Sequence, residues 1–109
     1  MSPDNKKPIP AEGNIDKLIH EPARYQIMAL LYVVESMDFT FLMKQTEMTA
    51  GNLSTHLRKL KEAGDIKVEK KFVKNFPRTT LYLSNKGKIV FEDYRQQMLT
   101  MLKELPKAE

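Results

Sequence analysis

The 109-residue sequence predicts an α+β domain, mainly α with a small β-hairpin. Two changes of period predict it. From Pro22 to Ala63 apolar residues recur at helical spacing, and after Gly64 they alternate every second residue, as in a strand. From Ser84 onward the helical spacing returns and lasts about six turns at 3.6 residues per turn. Hydrophobic residues make up 41% and charged residues 29% of the chain, the balance of one modest globular core.

The elements follow in order. Residues 1–13 hold three of the six prolines and show no period, so they read as a flexible leader. Asn14 is placed to cap a short helix with Ile15, Leu18 and Ile19 on one face. In "HEPARYQIMALLYVVES" Pro22 suits a first helical turn, and Ile27, Leu30, Leu31 and Val34 form the apolar stripe. "SMDFT" breaks the pattern as a very short strand. Thr40 is the expected cap of the next helix, "FLMKQTEM", with Leu42 turned inward. Thr49 caps the helix after that, its hydroxyl accepting from the Asn52 N–H, and Leu53, Leu57 and Leu60 mark the buried face. Gly64 supplies the left-handed residue that ends it. The two helices are a few residues apart, which is helix-turn-helix spacing.

In the hairpin, Ile66 and Val68 alternate with Lys67 and Glu69, and Thr79, Leu81 and Leu83 alternate with Thr80, Tyr82 and Ser84. "KNFP" separates the two runs, with Pro77 expected in the loop or on a strand edge. Ser84 caps a final helix reaching to about Leu105, and Pro106 follows its end. The domain organisation is therefore a leader at 1–13, a compact unit at 14–84, a C-terminal helix at 85–105 and a tail at 106–109. Helix, helix, strand, helix-turn-helix, hairpin, helix is the order of a winged helix-turn-helix.

Charge narrows the function. Between Thr55 and Arg78 eight basic residues face three acids, so that window carries +5 of the net +4 and the rest of the chain −1. A neutral body with one basic region is the electrostatic footprint of a polyanion binder. There is no cysteine, which excludes disulfides and thiolate metal sites. Two scattered histidines give no metal-ligand spacing, and neither a metal nor a cofactor is expected. No apolar run reaches the length of a membrane span, and the N-terminus lacks the apolar core of a secretory signal, so the expected compartment is the cytoplasm, with no membrane partner.

"IHEPARYQIMALL", "LSTHLRKLKEAGDIKVEKKF" and "RTTLYLSNKGK" resemble winged-helix transcriptional regulators of the ArsR/MarR type. The resemblance covers roughly residues 15–95. The pattern from Leu53 to Gly64, followed by a basic hairpin, carries most of it. It implies a dimeric DNA-binding repressor or activator. Asp65 departs from the pattern, which usually has an apolar or aromatic residue there. The cysteine-containing metal-sensing motif is absent, so the resemblance implies no metal response.

The residues support the same reading independently. With Leu53 inward, Gly51, Thr55, Arg58 and Glu62 point outward, Asn52 and Lys59 lie on one flank, and Ser54 on the other. A major groove admits one helix; Arg58 can fork to a guanine and Asn52 to an adenine. Thr49, Ser54 and Thr55 suit phosphate oxygens at a helix N-terminus. Gly51 allows close approach of a DNA backbone, or is simply tolerated in a first turn. Lys70, Lys71, Lys74 and Arg78, with Asn75 and Thr79, form a hairpin surface for flanking phosphates; lysines there also guard an exposed strand edge. The expected partner is double-stranded DNA, read sequence-specifically.

Two other readings compete. A protein-interaction module would need an apolar recognition face, and this one is polar and basic. A binder of RNA or single strands would want stacking aromatics, for which only Phe72 and Phe76 lie near the wing. No enzyme is expected: Ser54 and His56 are two apart on a helix and do not face each other. His56 is expected to pack or face phosphate, and His20 to sit at a helix end. Finally, Phe91, Tyr94, Met98, Met101 and Leu105 repeat at 3, 4, 3 and 4, a heptad-like seam that Leu102 widens. That seam is longer than a small core can cover and is the expected homodimer interface. Its methionines also suit a weak ligand cleft, and the existence of a small-molecule effector stays open.

Overall fold

The computed structural model describes residues 15–106. Seven elements follow in sequence: α1 (Pro22–Val34), β1 (Ser36–Asp38), α2 (Phe39–Thr46), α3 (Ala50–Glu62), β2 (Ile66–Val73), β3 (Phe76–Leu83) and α4 (Asn85–Lys103). The strands form one antiparallel sheet in the order β1-β3-β2. This is the mainly helical fold with a small hairpin that the periods predict.

The short helix expected before Pro22 is a turn instead. The Asp16 carboxylate accepts from the Leu18 and Ile19 amides at 3.0 and 3.4 Å, and the Asp16 carbonyl from the His20 amide at 2.9 Å. These bonds cap a single turn, which goes no further because Glu21, the residue before Pro22, is extended. The expected cap, Asn14, lies outside the described residues. Ile15 and Ile19 are buried as their spacing implied.

The core gathers Ile27, Met28 and Leu31 of α1, Leu42 of α2, Leu53, Leu57 and Leu60 of α3, and Ile66, Leu81 and Leu83 of the sheet. Phe91 and Tyr94 of α4 close it. The α1 stripe differs from expectation at its end: Met28 is buried, Leu30 is half-buried and Val34 is exposed. Val34 is the last helical residue, and the chain turns away at Glu35, whose φ is 72°. The side chain there no longer reaches the core.

Asp38 caps α2, not Thr40, and the helix begins at Phe39. The Asp38 Oδ1 accepts from the Phe41 amide at 2.7 Å. Both residue types cap well. Pairing of Ser36–Asp38 with β3 decides between them, because it holds Asp38 in the extended backbone that a cap requires. Thr49 and Ser84 cap α3 and α4 as expected, accepting from the Asn52 and Gly87 amides at 3.1 and 2.9 Å. Gly64 has φ 82° and ends the α3 turn. Helix α4 stops at Lys103, two residues short of the expected Leu105.

The hairpin pairs Ile66 with Leu83 at its base and Val73 with Phe76 at its tip. Only Lys74 and Asn75 form the turn, with φ of 52° and 69°. Two positive values match a type I′ turn, whose twist suits a two-residue hairpin. "KNFP" is therefore not the separator: Phe76 and Pro77 belong to β3. Pro77 is tolerated because β1 covers only Thr80–Tyr82 of that strand. It also sits in the second pair out from the turn, opposite Phe72, where the N–H groups point away from the partner strand.

Candidate nucleic-acid interface

Helix α3 presents the expected polar face. Leu53, Leu57 and Leu60 are buried, while Thr49, Gly51, Asn52, Ser54, Arg58 and Lys59 are exposed and Thr55 half-buried. The Thr49 oxygen is occupied by its cap bond, but its hydroxyl proton remains free to donate. Thr55 differs: its hydroxyl donates to the Gly51 carbonyl at 3.0 Å, so it offers an acceptor rather than a phosphate donor. Arg58 has one ionic neighbour, Glu62, at 4.0 Å, with both side chains more than half exposed. Such a pair is worth a fraction of about 1 kcal/mol and does not confine the guanidinium.

His56 is half-buried against α1, its Nδ1 3.1 Å from Arg24 Nη1. Arg24 is anchored in turn by Nε, which donates to the Leu18 carbonyl at 2.5 Å. The first turn of α1 thus braces the middle of α3. Arg24 escaped the sequence reading because nothing in its spacing marks it; only folding brings residues 24 and 56 together. His20 lies just ahead of α1, as expected, with Nδ1 2.9 Å from the Tyr94 hydroxyl. Each histidine is committed to a neighbour on another element.

The wing leaves Lys70, Lys71, Lys74, Asn75 and Arg78 exposed and Thr79 half-buried. Arg78 is tethered: its Nη1 lies 3.3 Å from Asp38 Oδ2, so one carboxylate both caps α2 and holds the wing arginine. Lys71 lies 3.7 Å from Glu69 on the surface. Among the described residues no ion pair involves Lys70 or Lys74. Strand alternation divides the wing. Lys70, Phe72, Pro77 and Thr79 share one face, and Lys71, Val73, Phe76 and Arg78 the other.

A second surface lies between α1 and α4. Tyr25, Tyr32 and Val33 face Phe91, Met98, Leu99 and Leu102 across a groove of about 680 Å³. Tyr25 and Tyr32 stand 6.0 and 4.9 Å from the Phe91 ring, centroid to centroid. Of the seam residues, Phe91 and Tyr94 are buried in the chain's own core, and Met98 and Met101 pack partly against it. Leu102 and Leu105 are exposed at 66% and 50%.

The chain matches the family model for the winged helix DNA-binding domain over residues 23–102. It is 34% identical over 89 residues to an uncharacterised protein of Methanocaldococcus jannaschii, a match covering 82% of this chain and 97% of that protein. Among solved structures it resembles a transcriptional regulator homologue from Pyrococcus horikoshii, with a TM-score of 0.77 at 24% identity over 83% of this chain and 91% of that one. It also resembles reduced AbfR bound to DNA, with a TM-score of 0.64 at 14% identity over 83% of this chain and 65% of that one. An ArsR family transcriptional regulator aligns at a TM-score of 0.56 and 14% identity over 83% of this chain and 88% of that one. The likeness to these structures is one of fold. Among the described residues no helix is long and apolar enough to cross a membrane. On sequence and fold alike, the chain belongs to the winged helix DNA-binding domain family.

Proposed function

We propose that the protein is a homodimeric transcriptional regulator that binds double-stranded DNA sequence-specifically, with α3 in the major groove and the wing on flanking backbone. The observation that carries this reading is the exposed, unconfined Arg58 on a helix whose opposite face buries Leu53, Leu57 and Leu60, beside a wing whose Lys70 and Lys74 join no ion pair among the described residues. A groove-reading helix needs free hydrogen-bonding groups on one side and rigid packing on the other. Family membership supports the DNA half of the proposal, and the likeness in fold to transcriptional regulators supports the regulatory half. The groove between α1 and α4 is the surface we assign to a second copy. The cytoplasm is the compartment that suits this role.

The test begins with selection of bound duplexes from a random pool. Arg58→Ala should then cost roughly 1–3 kcal/mol on the selected site and narrow its gap to random duplex. Lys74→Ala should weaken both alike and lower the salt slope by about one unit per contact. Affinities across a salt series separate the two. An Arg58→Ala protein unchanged on both duplexes would remove α3 from the groove.

A further inference from the structure

We infer that the tip of the wing is an apolar wedge, with Phe72 and Phe76 entering the minor groove and prising apart a base step beside the site read by α3. The inference rests on the DNA reading above and adds a second, shape-dependent source of specificity to it. Phe72 and Phe76 are 78% and 73% exposed, the two most exposed aromatic side chains of the described residues. Val73 and Pro77 are exposed beside them. Large apolar groups at a free hairpin tip invite edge-to-edge aggregation and are normally avoided there, so their presence asks for a partner.

Three features select duplex DNA as that partner. The tip carries one phenylalanine on each face, Phe72 opposite Pro77 and Phe76 opposite Val73. A cation stands two residues behind each ring on the same face, Lys70 behind Phe72 and Arg78 behind Phe76. Two strand residues span about 7 Å. A minor groove is about 7.5 Å deep. Cations resting on the phosphate rims would therefore set the rings at the groove floor, at the height of the stacked bases. The same cations, with Lys74 in the turn, repel the tip of a second copy. The arm is also long enough: from Lys70 to Arg78 no residue is buried, and among the described residues β1 pairs only with Thr80–Tyr82, reaching the arm through the Asp38–Arg78 ion pair at its base.

Fit imposes a consequence. A two-stranded tip with side chains on both faces is about 10 Å thick, whereas the groove is about 6 Å wide. It enters only where the groove opens, and proteins that insert apolar side chains there open it by unstacking a step and bending the duplex toward the major groove. Pyrimidine–purine steps yield most easily. The wing would therefore favour such a step at the flank of the site without hydrogen-bonding to it.

The experiment uses the selected duplex with fluorophores at its ends and 2-aminopurine placed at a flanking TA step. The full-length protein should shorten the end-to-end distance and raise 2-aminopurine emission. The Phe72→Ala/Phe76→Ala protein should melt at the parent's temperature, since neither ring touches the core. It should bind at least tenfold more weakly, lose both optical signals, keep its salt slope, and no longer prefer TA to AA at the flank. Phe72→Leu/Phe76→Leu should retain part of the bend. Binding by the parent with neither signal, or signals unchanged in the alanine variant, overturns the wedge and leaves the DNA reading intact. A variant defective only on single strands overturns it in favour of a stacking platform, and one altered only in self-association in favour of a contact between copies. Failure of the parent to bind any duplex overturns both readings.

Discussion

Asp65 shows what one residue does at the joint between α3 and the wing. Its side chain is buried, and its Oδ1 accepts no hydrogen bond. Its backbone is fully engaged: the amide donates to the Leu60 carbonyl and the carbonyl accepts from the Ser84 amide, both at 3.0 Å. Lys86 Nζ lies 3.7 Å from the carboxylate and also donates to the Ala63 carbonyl. Burial pushes the Asp65 pKa up, and Lys86 offsets part of that rise. A carboxyl with a raised folded pKa adds its full stability below its unfolded pKa and loses it as pH rises through the folded value. Asp65→Asn removes that loss. The variant should therefore gain stability relative to the parent as pH rises from below the ordinary carboxylate value of 3.8 to neutrality. Paired thermal melts across that range check it, and a relative stability that falls with rising pH contradicts it. Lys86→Met should act in the opposite sense, destabilising most at neutral pH. The sequence singles out Asp65 as a departure from its family's pattern. It cannot name Lys86, because that pairing exists only once α4 docks on the α3–β2 joint.

At the scale of elements, ends were harder to read than middles. Buried positions of α3 and the sheet follow from period alone, since Leu53, Leu57, Leu60, Leu81 and Leu83 repeat at the spacing of their element. Ends depend on single residues in competition. Gly64 announces its positive φ, but Glu35 and Glu47 take positive φ at the ends of α1 and α2, Glu47 in the left-handed helical region, with no glycine to signal them. The Lys74–Asn75 turn is equally silent, since lysine gives no hint of positive φ. Two glycines inside helices test how far local rules reach. Gly87, in the first turn of α4, lies so close to the Asp65 carbonyl that a Cβ would overlap that backbone oxygen. Gly51, in the first turn of α3, has open space where its Cβ would be. Gly87→Ala should destabilise by about 1–3 kcal/mol through forced backbone movement. Gly51→Ala should stabilise by up to about 1 kcal/mol, because alanine is the better helix former. If the proposed binding mode brings the helix start against the DNA backbone, the same change should also weaken duplex binding, since it adds a methyl group there. Denaturant midpoints and affinities for both variants decide it. A Gly87→Ala protein as stable as the parent would show that α4 can shift off the joint at no cost.

Besides the wing tip, the described residues leave an apolar surface between α1 and α4 once the core is formed. Helix α4 is 19 residues long, about 28 Å at the usual rise. Its first half buries Phe91 and Tyr94, while its second half leaves Leu99 and Leu102 exposed beside Tyr25, Tyr32 and Val33 of α1. These side chains come from the two helices farthest apart in sequence. The heptad-like seam therefore shows only half of the surface, and α1 supplies the other half. The seam also mixes two jobs that the sequence cannot separate. Phe91 and Tyr94 serve the chain's own core, so they offer a partner little area. Met98 and Met101 are shared between core and surface, and charging them would disturb both. Val33 and Leu102, at 77% and 66% exposure, are the cleaner probes. A two-fold axis through this surface would place each groove against the same groove of its partner. A dimer that lays both α3 helices on one face of a duplex would read half-sites with centres about one helical turn apart. Val33→Glu/Leu102→Glu should then sediment as a monomer while melting within a few degrees of the parent. It should bind a single half-site as the parent does and lose the gain that a palindromic site confers. If the parent itself sediments as a monomer at micromolar concentration and selects a site without two-fold symmetry, the groove has another occupant and each chain reads DNA alone.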